Sequence, residues 1–288
     1  MRVLVTGAGG FSGAVIARRL AAAGFQVIAH RRSTPLAADL AGMPGVTEWA
    51  GDLADLEALP PGIDAVVHAA ATSKPRGSAD AALIRDNALA SARLVAAARA
   101  AGVGRFIYLS SLSVHGAVIE RSLDAGTPIR APDPYGVSKL MGESVLAASG
   151  LPAISIRLPA VIGPGADRNW PVRVAARIRH GEAVCIYNAD GPFNNVVHVD
   201  DLAGWIADLL GAPAMAAGMA TVPVGSADPI PVRAAVATIA AGLARDALLE
   251  EVVAPGPAFT IDPTAAARLG FRPSSTFEAL LRYARSLG

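Results

Sequence analysis

Val3-Leu4-Val5-Thr6-Gly7-Ala8-Gly9-Gly10-Phe11-Ser12-Gly13 decides the fold: a short apolar run, a glycine-rich turn and the opening of an alanine-rich segment. A β-branched run leading straight into such a turn reads as a strand followed by a helix start, the context in which main chain cradles a dinucleotide pyrophosphate. Gly7 permits the tight turn, Gly10 lets the backbone approach the anion, and Gly13 allows close packing of helix on strand. Free N–H groups and the helix dipole, at the level of Phe11 and Ser12, favour negative charge there. The spacing is G-x-x-G-x-x-G.

Working outward, apolar runs at Val3–Val5, Gln26–Ala29, Asp64–Val67, Phe106–Leu109 and Ile154–Ile156 read as strands buried on both faces. Between them lie helical stretches at about Phe11–Ala23, Ala81–Ala101 and Pro134–Ala148, closed by Gly24, Gly102 and Gly150. That alternation predicts a Rossmann-type α/β fold, a doubly wound parallel sheet. After Leu158 prolines multiply and the elements shorten, so residues 1–160 form the expected dinucleotide-binding domain and 161–288 a smaller, mainly substrate-binding lobe. Val196–Leu210 is expected to return to the Rossmann core. Helices of the lobe are expected at Trp170–His180, Val199–Leu210, Pro231–Leu243 and Phe277–Ser286.

The whole chain is 288 residues with a formal charge of +1, which excludes a strongly basic nucleic-acid or membrane-binding surface as its dominant character. With 52% hydrophobic and 17% charged residues it is a folding sequence, not a disordered one. A single cysteine, Cys185, excludes an internal disulfide and reads as a small core residue. No metal site is read from the sequence. Neither an export signal nor a membrane span is read from the apolar runs, so a cytoplasmic location is expected.

At the end of the second strand, where a ribose-binding carboxylate is common in NAD enzymes, the chain has His30-Arg31-Arg32-Ser33. The guanidinium groups of Arg31 or Arg32 suit a 2′-phosphate, which favours NADP(H) over NAD(H) while leaving NAD(H) open. Asp52-Leu53 and Ala69-Ala70-Ala71, at the ends of later strands, fall along the adenine and ribose side. Tyr135 and Lys139 are four apart and share one helix face, where a neighbouring ammonium lowers the pKa of a phenol and makes it a usable proton carrier. Ser110-Ser111 closes a strand, placing a hydroxyl beside a substrate oxygen.

Together these motifs resemble the extended short-chain dehydrogenase/reductases of the NAD-dependent epimerase/dehydratase family. The matching pieces are Thr6–Gly13, Asp52-Leu53, His68-Ala69-Ala70, Asn87, Phe106–Ser111 with Val114-His115-Gly116, Tyr135–Lys139, Arg157-Leu158-Pro159 with Gly163-Pro164-Gly165, and Val197–Leu202. The resemblance implies Ser111 rather than Ser110 as the catalytic hydroxyl. It implies Tyr135 as proton carrier to the substrate oxygen, Lys139 on the nicotinamide ribose, Pro159 among the cofactor contacts and Asn87 as a structural residue near the site. Hydride would pass between cofactor and a hydroxyl or keto carbon of a sugar-like substrate, free or nucleotide-linked, and a homodimer would form through Ala81–Ala101 and Pro134–Ala148.

Two departures narrow this expectation. The arginine that contacts a diphosphate in related nucleotide-sugar epimerases is replaced by Phe193-Asn194-Asn195, with Arg173, Arg177 or Arg179 as substitutes. The acidic pair that dehydratases carry after the catalytic hydroxyl is Leu112-Ser113 here, which counts against dehydration. Reduction or oxidation and epimerisation through a transient ketone stay open, with a non-catalytic cofactor-binding protein as the rival. His198 reads as a structural histidine. Substrate choice is expected from loops near Thr72–Asp80, Gly163–Trp170 and Tyr187–Asn195.

Overall fold

The computed structural model describes residues 1–73, 80–253 and 258–288. Seven strands form the central sheet: β1 (Arg2–Thr6), β2 (Gln26–Arg31), β3 (Val46–Ala50), β4 (Ala65–His68), β5 (Arg105–Ser111), β6 (Ala153–Leu158) and β7 (Met219–Pro223). Their order is β7-β6-β5-β4-β1-β2-β3, and the pairings from β5 through β3 are parallel. The winding reverses between β1 and β4, where Thr6 pairs with His68. In open α/β sheets the crevice beyond the strand ends at such a switch point is where ligands bind.

Local chemistry explains the elements that position the site. All four residues of β4 are buried, as are the last four of β1, which matches their unbroken apolar character. Helix α1 (Phe11–Ala22) begins at Gly10 with neither a side-chain cap nor an acidic residue in its first turn. Helix α2 (Ala90–Ala100) is preceded by a π-helical turn over Ile84–Leu89 and a short α-helical stretch over Asp80–Leu83, so the single helix expected at Ala81–Ala101 is three segments. Helix α3 (Pro134–Ala148) starts where Asp133 accepts from Gly136 N at 2.7 Å with Pro134 in the first turn, a strong N-terminal signal. Two strands of the central sheet have no counterpart among the expected ones. In β3 the exposed Thr47 and Glu48 break the apolar pattern, and β7 lies in a proline-containing stretch after Gly218.

The chain divides into two compact units. The first comprises Met1–Ala117, Ile129–Arg157 and Ala203–Val222 and holds the sheet core, with Leu4, Val66, Leu94, Phe106 and Tyr108 buried together. The second comprises Val118–Pro128, Leu158–Leu202 and Pro223–Gly288. Its own core gathers Ile162, Val174, Ile178, Val236, Ile239, Leu280 and Tyr283, contributed mainly by helices Trp170–His180, Val232–Gly242 and Thr276–Arg285. There His198 is 3% exposed, its Nδ1 accepting from Asp200 N at 3.3 Å, and Cys185 is only half-buried on a short strand. No described helix is long and apolar enough to cross a membrane.

Candidate active site

The first unit carries a cleft at the switch point, lined by the glycine turn, the end of β2 and the segments after β3 and β4. Of the residues singled out from sequence as cofactor contacts, Gly7, Gly10, Arg31, Arg32, Asp52, Leu53, Ala69, Ala70 and Ala71 line it. Phe11, Ser12 and Gly13 are not among the lining residues; they form the first turn of α1, with Gly13 packed on the Gly7 carbonyl. Pro159 belongs to the second unit. Gly9, His30, Ser33, Thr34, Thr72, Asp86 and Ala90 also line the cleft and were not picked out.

The cleft's floor is main chain at close quarters. Gly7 has φ +70, and a Cβ there would lie 2.7 Å from Ala70 Cα; a Cβ on Gly9 would strike the Thr34 carbonyl. Gly10, which lines the cleft and precedes α1, puts no side-chain cap on the start of that helix, an arrangement that receives anions. Ala70 N donates to Thr6 Oγ1 at 3.1 Å, and the same hydroxyl meets His68 Nδ1 at 2.7 Å, so the ends of β1 and β4 are tied together. These features fit a dinucleotide: small residues where its backbone must approach, a helix start without a side-chain cap for the pyrophosphate and guanidinium groups at the rim.

Charges on that rim are already paired. Arg31 Nε donates to Glu48 Oε1 at 2.6 Å, and Arg32 Nη1 lies 2.8 Å from Asp86 Oδ2. Burial tends to raise the Asp52 carboxyl, but the Ala54 amide and Arg85 hold it below its ordinary value. His30 packs against Trp49 with centroids 5.0 Å apart and the rings tilted by 56°, and burial lowers its pKa.

Ser111, Tyr135 and Lys139 all lie in the same unit as the cleft. Strand alternation separates the two serines that end β5: Ser110 is 3% exposed and turned inward, whereas Ser111 is half-buried. Ser111 Oγ accepts from Ser113 N at 3.1 Å, which leaves its O–H to donate. The first turn of α3 comes close to this segment because residue 136 is glycine; a Cβ there would overlap the Ser113 carbonyl. Tyr135 precedes that glycine and is half-buried, while Lys139, one turn on, is 1% exposed. The Lys139 ammonium lies 4.2 Å from the centroid of the Tyr108 ring, a favourable cation–π distance. Burial brings the Lys139 amine down to about 7, with Glu143 pulling the other way. Burial also pushes the Tyr108 phenol up, with Tyr135 close enough for its charge to be felt there.

Deeper in, α3 is anchored by charge. Arg157 grips Glu143 through Nε–Oε1 at 3.0 Å and Nη2–Oε2 at 2.7 Å, Ser155 Oγ donates to Oε1 at 3.0 Å, and Arg157 Nη1 donates to His115 Nε2 at 3.0 Å. Burial favours the neutral acid at Glu143, but Arg157 and its other partners hold its pKa below the usual value. Tyr135, Lys139 and Glu143 recur every four residues, so helical spacing contained the signal for this anchor. Asn87 Nδ2 donates to Thr72 O at 2.9 Å and Ser138 Oγ at 2.9 Å, and Ser138 Oγ donates to the Tyr135 carbonyl at 2.7 Å, the structural place expected of Asn87. Of the loops expected to choose substrate, residues 74–79 lie outside the described residues. Among the described residues no His, Cys, Asp and Glu group with metal-binding proximity occurs.

A model of the NAD dependent epimerase/dehydratase family matches residues 3–222. A 2-alkyl-3-oxoalkanoate reductase of Stenotrophomonas maltophilia is 34% identical over 248 residues, covering 81% of this chain and 73% of that one. A UDP-glucose 4-epimerase of Streptomyces lividans is 30% identical over 237 residues, covering 70% and 69%. Among solved structures, MoeE5 in complex with UDP-glucuronic acid and NAD superposes with a TM-score of 0.82 at 27% identity, over 100% of this chain and 99% of that one.

Proposed function

Since the chain belongs to the NAD-dependent epimerase/dehydratase family, we propose that it is a nicotinamide-dependent oxidoreductase acting on a secondary alcohol or the corresponding ketone. The dinucleotide, when bound, supplies or accepts the hydride. Tyr135 passes a proton to or from the substrate oxygen, Ser111 donates a hydrogen bond to that oxygen, and Lys139 favours the ionised phenol and holds the nicotinamide ribose. The observation that carries the reading is the presence, in one compact unit, of the glycine-floored cleft and all three of these side chains. Retention of all three favours an enzyme over a non-catalytic cofactor-binding protein.

NADP(H) is the favoured cofactor, on the absence of a carboxylate at the end of β2 and the presence there of Arg31 and Arg32 at the cleft. The Phe193-Asn194-Asn195 stretch brings no charge for a diphosphate, which favours a ketone substrate without one. The reductase relative supports that choice. The second reading, epimerisation of a nucleotide sugar, is supported by the Streptomyces lividans epimerase and by MoeE5. Dehydration is disfavoured by Leu112-Ser113. A homodimer through Ala81–Ala101 and Pro134–Ala148, which expose Ile84, Leu89, Val137 and Met141, is proposed, in a cytoplasmic protein.

A panel of simple ketones, 3-oxo acids, sugars and nucleotide sugars, followed by nicotinamide absorbance with NADPH and NADH and by an epimer assay without net redox change, tests the reading. Ketone-dependent NADPH oxidation is expected. Epimer formation without absorbance change selects the second reading, and inertness toward every class overturns both.

A further inference from the structure

Both arginines at the end of β2 have a carboxylate partner, but the two pairs differ. Glu48, the partner of Arg31, sits on β3 with a side chain 39% exposed. Asp86, the partner of Arg32, lines the cleft itself with a side chain only 13% exposed. It is pinned from two further directions, by Thr72 Oγ1 at 2.7 Å and by Arg85 Nη1 at 3.3 Å. Arg85 is in turn tied to Asp52 at 2.9 Å and Asp55 at 3.2 Å, so it brings little free positive charge to the rim.

The backbone is shaped for this placement. Asp86 and Asn87 lie in the π-helical turn Ile84–Leu89 and both reach Thr72: Asp86 takes the hydroxyl, while Asn87 takes the main-chain N–H at 2.8 Å and carbonyl at 2.9 Å. Successive side chains on an α-helix diverge by about 100°, and isolated π turns that relieve this constraint concentrate at functional sites. Asn87 also braces the turn against Ser138 of α3, which fixes Asp86 in place. Burial would raise the Asp86 carboxyl, yet Arg32 and Thr72 hold it below the ordinary carboxylate range, so it is an anion at neutral pH.

We propose that Asp86 is a specificity-determining residue of the cofactor cleft: its fixed carboxylate holds Arg32 and competes with a 2′-phosphate for that guanidinium, setting how strongly phosphorylated dinucleotides are preferred. The proposal rests on the NADP(H) reading above. A 2′-phosphate reaching Arg32 shares the fork with a negative charge that cannot withdraw, whereas a ribose hydroxyl incurs no such repulsion. One unit charge about 4 Å from a phosphate at an open, water-screened rim alters affinity about tenfold. Neutralising Asp86 therefore sharpens the preference, and removing Arg32 abolishes it.

The test uses the full chain and two probes, adenosine 2′,5′-bisphosphate and 5′-AMP, with Kd measured by calorimetry. In Asp86→Asn, which keeps acceptors for Thr72 and Arg32, the bisphosphate is expected to bind about tenfold tighter than to wild type with the 5′-AMP affinity unchanged. Asp86→Ser, shorter and neutral, must move in the same direction, and circular dichroism confirms that both variants are folded. Unchanged bisphosphate affinity in the folded variants, with Arg32→Ala still weakening it, overturns the role of Asp86 and leaves the NADP(H) reading standing. Equal affinity of wild type for the two probes, indifferent to Arg31→Ala and Arg32→Ala, overturns the NADP(H) reading and the proposal together.

Discussion

Replacing Lys139 by methionine removes an ammonium from a place that disfavours it. The side chain is 1% exposed, and burial, opposed by Glu143, brings its amine from 10.5 to about 7. Between those values the unfolded chain binds the proton that the folded chain has released, so the Lys139 contribution to stability rises with pH across that window. Below pH 7 the penalty is fully present. At about 1.36 kcal/mol per pH unit it amounts to about 5 kcal/mol. Methionine fills comparable space without charge; with the lost cation–π contact on Tyr108, worth about 1–2 kcal/mol, subtracted, Lys139→Met should be more stable than wild type at pH 7 by about 3 kcal/mol, or about 6–12 °C in Tm. Unfolding of both proteins, followed at unit steps from pH 6 to 10 in matched buffers, reads the difference. Its advantage should shrink steadily between pH 7 and 10, and the proposed role of Lys139 predicts that turnover is lost, stability being given up for the charge. A variant less stable than wild type at pH 7, or an advantage constant across the window, refutes this reasoning.

Further outcomes follow from the same geometry. Tyr108→Leu withdraws the ring beneath the ammonium and should move the alkaline fall of kcat/KM about one pH unit lower, whereas Tyr108→Phe, which keeps the ring face, should leave it in place. Glu143→Gln breaks the buried pair with Arg157 and should cost about 3–5 kcal/mol in urea unfolding at pH 7. Because the Glu143 carboxyl is held below its usual value, its contribution is present above that value and fades as pH falls, so the cost should shrink toward pH 3. Met141→Glu, on the exposed face of α3, should convert a dimer to a monomer in light scattering, and a wild type already monomeric at working concentrations contradicts the proposed interface.

The parts legible in the sequence are those where one physical demand dominates. Fully buried strands gave unbroken apolar runs, and Asp133-Pro134 and Gly150 bracketed α3 because capping and positive φ restrict residue choice. By contrast β3 combines half-buried Val46 and Trp49 with exposed Thr47 and Glu48, a pattern with no clear period. The π turn at Ile84–Leu89 is hidden because hydrophobic spacing does not register one inserted residue. In the cleft, the glycines and Ala69–Ala71 were readable from their position after strands. Asp86 was not, since its place depends on the π turn, on Thr72 and on Arg32, far apart in sequence. The seat of Lys139 on Tyr108 likewise joins two motifs that the sequence presents separately.

The proposed chemistry requires Tyr135 to carry the proton while the cleft holds the nicotinamide dinucleotide. Its most direct test is Tyr135→Phe, with NADPH affinity and single-turnover hydride transfer to an accepted ketone measured on the same preparation. The proton-carrier role predicts a Kd within about twofold of wild type and a transfer rate lower by about 10²–10⁴. Near-wild-type transfer contradicts it.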